Sequence, residues 1–258
     1  MRVALGVEYA GGAFCGFQSQ PSRCGVQDAL ESAIGQIASH AVGVNAAGRT
    51  DAGVHACSQI VHFDTDADRP STAWVRGVNA HLPTEVAILW SHEVPPEFHA
   101  RFSATARHYA YLLQNRGERP ALLAGRAGWY HQRLDADAMQ EACAMLTGSH
   151  DFSSFRAAEC QAKSPVKTLH RARVARQGDT IRFDFSANAF LHHMVRNIVG
   201  ALVAVGAGKA PPSWIAELLE ARDRTRGPAT FAPDGLYFCG ADYDPAFGLP
   251  STRREPAF

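Results

Sequence analysis

Hydrophobic residues along the first hundred positions follow two kinds of spacing, one typical of strands and one typical of helices. Val3, Leu5, Val7 and Tyr9 occur at every second position, which predicts an opening strand. Apolar residues within 26–37 recur at helical spacing and predict a helix. The pattern then predicts strands at 42–47 and 59–63, a helix at 71–81 and a strand at 86–94. The order is therefore β-α-β-β-α-β.

Pro95 and Pro96 interrupt this pattern and mark the predicted domain boundary. We predict an N-terminal half at 1–97, a C-terminal half at 98–245 and a loose tail at 246–258. The second half is predicted to contain strands at 107–114, 168–176, 180–187 and 236–242, a helix that Asp135 can cap, and helices at 190–205 and at 213–221. Both halves mix strands and helices, which predicts a duplicated α+β architecture.

The longest apolar run, at 190–205, is predicted to be a buried helix. A membrane-spanning helix needs roughly 20 apolar residues. This run is shorter, and it carries His192, His193, Arg196 and Asn197. We therefore expect no membrane association.

Charge is balanced overall but unevenly distributed. The net charge is zero, and 46% of the residues are hydrophobic, enough for one large domain or two small ones. Lys and Arg minus Asp and Glu gives 5 − 9 = −4 for residues 1–95, 13 − 8 = +5 for 96–182 and 7 − 8 = −1 for 183–258. The middle third could therefore contact an anionic partner, or it could simply be a solvated basic surface.

The cysteines and histidines show no metal-binding spacing. The six cysteines contain no C-x-x-C pair. No secretory leader follows Met1, so we expect free thiols in a reducing cytosol. His192 and His193 are adjacent and would diverge by about 100° on a helix. We expect no metal site.

One carboxylate stands out. A predicted strand leads into Gly48-Arg49-Thr50-Asp51-Ala52-Gly53-Val54-His55. The glycines permit tight turns and close approach of a ligand. Arg49 and Thr50 could hold Asp51 ionised, as a nucleophile or a base requires. The structural alternative is a turn aspartate that bonds to its own backbone.

This segment resembles the signature of the TruA family of tRNA pseudouridine synthases. Other segments resemble the family in the same order: 9–20, Val26-Gln27, 77–79 with Leu82-Pro83, 101–111, 151–155, 190–200 and 235–237. The resemblance covers roughly 3 to 244. Ala10 departs from the family's usual aspartate, and 225–233 matches loosely.

The resemblance implies a fold and a reaction. The expected fold has two RRM-like α/β halves joined by a mixed, mostly antiparallel sheet, with helices on its outer side and an active-site cleft between the halves. The implied enzyme is an isomerase that converts uridine to pseudouridine at positions 38, 39 or 40 of the tRNA anticodon stem-loop. It needs no cofactor, works in the cytoplasm and forms a homodimer.

The resemblance also implies roles for four residues. Asp51 is expected to be the nucleophile, attacking either C1′ of the sugar or C6 of the base. Arg196 is expected to pair with Asp51, Arg49 to hold the RNA, and Tyr109 to stack on the target base and remove the C5 proton. Candidates for phosphate contacts are the basic residues of the middle third: Arg101, Arg107, Arg116, Arg119, Arg126, Lys163, Lys167, Arg171 and Arg173.

Two other functions remain open on the sequence. One is a hydrolase that uses Asp51 to cleave a glycosidic bond, although glycosidases normally need two carboxylates. The other is a non-catalytic RNA-binding protein with an RRM-like sheet, in which Asp51 would be dispensable. The RNP aromatic pattern of such proteins is absent.

Overall fold

The computed structural model describes residues 1–257, which form two compact units. The first unit comprises Met1–Arg107 and the described residues from Tyr237 onward, and the second comprises His108–Leu236. The sequence prediction places a boundary at residue 97. In the structure, residues 98–107 belong to the first unit. Phe98 is fully buried there and packs on Tyr243, with ring centroids 5.2 Å apart.

The first unit is built on a mixed sheet with strand order β4-β1-β3-β10. β1 pairs antiparallel with β3 and β4, β2 pairs antiparallel with β3, and β10 runs parallel to β3. The bounds are β1 Arg2–Tyr9, β2 Asn45–Ala46, β3 His55–Asp64, β4 Val86–Val94 and β10 Leu236–Asp242. Its helices are α1 Val26–Ala38 and α2 Val78–His81. Helix α1 turns Val26, Leu30 and Ile34 into the core, as its spacing predicts.

The second unit carries strands in the order β5-β9-β8-β7, with β6 parallel to β5. The strands are β5 Ala106–Asn115, β6 Gly128–Tyr130, β7 Gly148–Asp151, β8 Val166–Gln177 and β9 Thr180–Ala187. The helices are α3 Ala136–Ala144, α4 Met194–Gly206 and α5 Trp214–Ala221. Asp135 caps α3 by accepting hydrogen bonds from two backbone amides, as predicted. The mixture of sheets and helices confirms the α+β class.

Two predicted elements differ in the structure. The helix predicted at 71–81 is helical over that whole range, but its middle, Ala73–Gly77, is π-helical and only its last part is α2. The helix predicted at 190–205 begins only at Met194, because His193 adopts a left-handed conformation with φ of 61°. Over residues 1–257 no helix has the length and apolarity that a membrane span requires.

The segment after β10 packs within the first unit; it includes the predicted loose tail, 246–258, of which Phe258 lies outside the described residues. Gly240 pairs with Arg253 in an antiparallel bridge, and the amide of Arg254 donates to the carbonyl of Cys239 at 2.9 Å. Phe247 packs edge-on against Phe98, with ring centroids 5.2 Å apart. This segment therefore covers part of the first unit's core.

A buried histidine on β3 makes the first unit sensitive to acid. His62 is 2% exposed, and its Nδ1 accepts a hydrogen bond from the amide of Ala100. Burial lowers the pKa of His62 to about 4; His99 and Arg2 act in the same direction, and Asp64 opposes them. The neutral imidazole is thus the form that the folded state contains.

We expect the free energy of unfolding to fall by about 2 to 3 kcal/mol through His62 as the pH drops from 7 to 4.5. The unfolded chain binds this proton near pH 6.5, whereas the folded chain binds it only near pH 4. The contribution of His62 to the free energy of unfolding is therefore fully present above pH 6.5 and is lost as the pH falls below that value. His62→Asn keeps an acceptor for the amide of Ala100 and should reduce the dependence of the melting temperature on pH over this range. His170→Asn, at an exposed position of β8, should retain the wild-type slope. Equal slopes in all three proteins would contradict the assignment.

Candidate active site

Asp51 lies on the loop between β2 and β3. Both ends of this loop are attached to β3. The amide of Ala47 donates to Ile60 on β3 at 2.8 Å, and β3 begins at His55. The amide of Val54 donates to the carbonyl of Asp51 at 3.1 Å and closes a turn. Along this loop Arg49 is exposed and the Asp51 side chain is half-buried. The loop thus presents a carboxylate and a guanidinium to solvent.

A buried polar cluster fixes the backbone next to Asp51. The hydroxyls of Tyr9 and Thr50 are 2.8 Å apart, and the amide nitrogen of Gln59 donates to the carbonyl of Gly48 at 2.6 Å. The same nitrogen lies 3.4 Å from the Tyr9 hydroxyl. Burial raises the pKa of Tyr9 to about 12, which keeps this hydroxyl neutral. Thr50 is therefore anchored, and Asp51 follows it directly.

A second loop, at 11–25, lies against the Asp51 loop. The amide of Phe17 donates to the carbonyl of Thr50 at 2.9 Å. Gly16 has φ of +102°, and a Cβ there would lie 2.9 Å from the carbonyl oxygen of Thr50 and 3.3 Å from the carbonyl carbon of Asp51. Only glycine permits this approach without a shift of one loop.

The 11–25 loop is closed by a disulfide between Cys15 and Cys24. The prediction that all cysteines are free thiols was therefore wrong for these two residues. The sequence gives no spacing signal for the pair, because they meet through the turn of the loop, where the amide of Cys15 donates to the carbonyl of Cys24 at 3.0 Å.

We expect the disulfide to stabilise the protein by about 3 kcal/mol, because it closes a loop with a sequence separation of 9 residues. Dithiothreitol should lower the melting temperature of the wild type, and the double variant Cys15→Ser with Cys24→Ser should melt at that lower temperature. The double variant supplies the control, since reductant should leave it unchanged. If the wild type melts at the same temperature with and without dithiothreitol, the expected stabilisation is contradicted.

His55 forms a third anchor of the loop. Its Nδ1 accepts a hydrogen bond from the amide of Gly11 at 3.1 Å, and its ring stacks on Tyr237 of β10 with centroids 4.8 Å apart. Sequence reasoning assigned roles to none of Tyr9, Gln59 and Tyr237. The available signal was the presence of polar residues within the otherwise apolar β3, including His55 and Gln59.

In the second unit, Tyr109 is half-buried on β5. Its ring meets Phe190 edge-on, with centroids 4.9 Å apart and an interplanar angle of 77°. Tyr111, two residues further on, is fully buried and donates to the carbonyl of Ala232 at 2.9 Å. Tyr111 is therefore a core residue, whereas part of the Tyr109 ring can be reached from outside.

Arg196 lies on the first turn of α4 and is oriented by a neighbouring segment. Its Nε donates to the carbonyl of Phe231 at 2.8 Å. The next residue, Asn197, is buried; it donates to the carbonyl of Phe155 at 2.8 Å and accepts from the hydroxyl of Thr230 at 2.7 Å. The segment that matches the family only loosely, 225–233, thus fixes the position of Arg196.

The adjacent histidines before α4 differ from the prediction. Because α4 begins at Met194, His192 and His193 precede the helix. Their ring centroids are 4.0 Å apart.

The predicted phosphate-contacting residues lie at positions of different exposure. Arg101, Arg119, Arg126, Lys163, Arg171 and Arg173 are exposed, whereas Arg107, Arg116 and Lys167 are half-buried. The guanidinium of Arg107 donates to backbone carbonyls of the first unit, among them Ala104 at 2.9 Å and Ala47 at 3.3 Å. Arg107 therefore has a structural function that the sequence did not indicate.

Of the four predicted site residues, Arg49 and Asp51 share one loop of the first unit, and Tyr109 and Arg196 belong to the second. The pairing of Arg196 with Asp51 stays a prediction.

Comparison with known proteins gives matches along nearly the whole chain. A family model described as tRNA pseudouridine synthase matches residues 6–103 and 142–244. Arg49, Asp51 and Arg196 fall inside the matched ranges, and Tyr109 falls outside them. Proteins named tRNA pseudouridine synthase A are similar to this chain: that of Methylobacillus flagellatus is 64% identical over 255 residues, covering 99% of this chain and 98% of the relative. Those of Dechloromonas aromatica and Chromobacterium violaceum are 60% and 61% identical and cover at least 99% of this chain and 97% of the relatives.

Proposed function

Because this chain belongs to the tRNA pseudouridine synthase family, we propose that it isomerises uridine to pseudouridine at positions 38, 39 or 40 of the tRNA anticodon stem-loop, with Asp51 as nucleophile. The observation that carries the proposal is the placement of Asp51: a half-buried carboxylate follows an anchored threonine on a loop held by three neighbouring segments.

The reaction rearranges bonds without a net change in composition. The N1–C1′ bond breaks, the base turns, and a C5–C1′ bond forms. The hydrogen of C5 leaves as a proton, and N1 gains one. Both reacting carbons are enclosed in a stacked stem, so the enzyme must extrude the nucleotide, at a cost of a few kcal/mol.

Asp51 begins the reaction by attacking C1′ or C6. Both routes require an ionised carboxylate whose position is fixed before the substrate arrives, because a fixed nucleophile avoids an entropic cost in the transition state. The Tyr9, Thr50 and Gln59 cluster supports this role, since it immobilises the backbone one residue before Asp51.

The two arginines supply positive charge. The exposed guanidinium of Arg49 contacts the RNA with its base extruded, since guanidinium binds phosphate and also stacks on bases. Arg196 keeps Asp51 ionised. The bond from its Nε to Phe231 supports this role, because it fixes the orientation of the planar guanidinium, a group suited to binding carboxylates.

Tyr109 stacks on the target base and takes the C5 proton. Its half-buried ring is held by Phe190, so its orientation is set before the base arrives. The family resemblance further implies a homodimer that works in the cytoplasm without a cofactor. These assignments belong to the same proposal.

The reaction is tested with tRNA transcripts that carry tritium at C5 of uridine. We expect the protein to release tritium to water and to convert uridines 38, 39 or 40 to pseudouridine without added cofactor. Release of free uracil would identify a hydrolase instead. Binding of the transcript with neither product would identify a non-catalytic RNA-binding protein.

A further inference from the structure

The loop between β4 and β5 exposes an aromatic ring that the proposed mechanism does not use. Phe102 is 77% exposed, although it belongs to a segment that begins with the fully buried Phe98. An exposed phenylalanine ring forgoes the stabilisation that its burial would provide. Such a ring is available for stacking with a ligand.

The loop that carries Phe102 is held rigidly. The Nδ1 of His99 accepts hydrogen bonds from the amides of Arg101 and Phe102, at 3.1 and 3.3 Å. The amide of Ser103 donates to the carbonyl of His99 at 2.8 Å, and the Ser103 hydroxyl accepts from the amide of His99 at 2.9 Å. Burial lowers the pKa of His99, with Arg2 acting in the same direction, which favours the neutral imidazole that accepts these bonds. Little conformational entropy is therefore lost when a ligand binds here.

The side chains around Phe102 suit a nucleobase. The rings of His99 and Phe102 lie 4.3 Å apart, and the guanidinium carbon of Arg101 lies 5.7 Å from the Phe102 centroid. Unpaired bases bind proteins by stacking on aromatic rings and on guanidinium planes, with neighbouring phosphates contacted by arginine. An exposed ring beside an exposed arginine offers both contacts.

This loop is tied to the loop that carries Asp51. One nitrogen of Arg107, Nη2, donates to the carbonyls of both Arg101 and Ala47. Two acceptors of one nitrogen are at most about 6 Å apart. Ala47 precedes Asp51 by four residues, which span at most about 14 Å. An RNA stem-loop that places its target at Asp51 therefore has other nucleotides within reach of Phe102.

We propose that Phe102 and Arg101, supported by His99, form a binding site for an unstacked nucleotide of the substrate RNA outside the target position: Phe102 stacks on the base and Arg101 contacts an adjacent phosphate. This proposal rests on the proposed function, since it takes tRNA as the ligand. Both side chains act in binding and take no part in the bond rearrangement.

The test uses the full chain and an anticodon stem-loop RNA, a short A-form stem closed by its single-stranded loop. Phe102→Ala should weaken binding of this RNA about 10-fold or more, and Phe102→Trp should restore it. Arg101→Gln should lower the slope of log affinity against log salt by about one, whereas Phe102→Ala should leave the slope unchanged. In Phe102→Ala and Arg101→Gln the loss of affinity should appear as a raised KM for this RNA, which identifies a binding role. Leu122→Ala, which removes another exposed apolar side chain, is the matched control.

The outcomes separate this proposal from the proposed function. Wild-type pseudouridine formation with unchanged RNA affinity in Phe102→Ala would overturn the nucleotide site alone. A wild type that binds RNA but forms no pseudouridine would overturn the function, whatever Phe102 does. If Phe102→Ala alters the oligomeric state in size-exclusion chromatography and leaves RNA affinity intact, the surface binds a second copy of the chain and the proposal is wrong.

Discussion

Replacement of Asp51 by asparagine is expected to reduce pseudouridine formation at least about 10³-fold, because an amide cannot act as the attacking carboxylate. The change is nearly isosteric. The turn that Asp51 closes uses its backbone carbonyl, and the Tyr9–Thr50 contact does not involve its side chain, so the loop should keep its conformation. Tritium release from C5-labelled tRNA measures the loss.

Measuring how Asp51→Asn binds tRNA distinguishes a catalytic role of Asp51 from a structural one. We expect Asp51→Asn to bind the transcript as the wild type does and to melt at the same temperature. Asp66→Asn makes the same chemical change at an exposed position of the same unit and should retain full turnover. Full turnover in Asp51→Asn would refute the mechanism, and loss of both turnover and folding would show that the carboxylate is structural.

Replacement of Tyr109 by phenylalanine is expected to lower turnover by about 10² to 10⁴-fold, the usual contribution of a positioned acid or base. The substitution keeps the ring, so the edge-on contact with Phe190 and the stacking on the base should persist. We therefore expect KM for tRNA to stay near the wild-type value while kcat falls. Single-turnover tritium release at several pH values reports on the proton step directly.

The control for this prediction is Tyr130→Phe, which removes a tyrosine hydroxyl from β6 in the same unit. It should leave both kcat and KM unchanged. Wild-type turnover in Tyr109→Phe would show that the hydroxyl takes no part in proton transfer. A raised KM with unchanged kcat would assign Tyr109 to binding alone.

The sequence predicted the elements whose pattern is local. Alternation predicted β1, helical spacing predicted α1, and Asp135 was recognised as a helix cap because capping depends only on the next three residues. The Asp51 segment was found because its motif is contiguous. These features need no knowledge of distant contacts.

The supports of the Asp51 loop could not be found in this way. Tyr9 meets Thr50 across 41 residues, and Gln59 meets Gly48 across 11. A polar residue on an apolar strand signals an unusual position, but its partner is fixed by the pairing of β1 with β3 and by the path of the loop. The Cys15–Cys24 pair was missed for a related reason, since thiol pairing depends on how the loop turns back on itself.

The late position of Tyr237 has a consequence for synthesis on the ribosome. His55 stacks on Tyr237, and β3 pairs in parallel with β10 through these two residues and their neighbours. The whole of the second unit is translated between them. A nascent chain can therefore complete the second unit from contiguous sequence while β3 still lacks its last neighbour, and the strand that begins four residues after Asp51 acquires its final partner only near the end of translation.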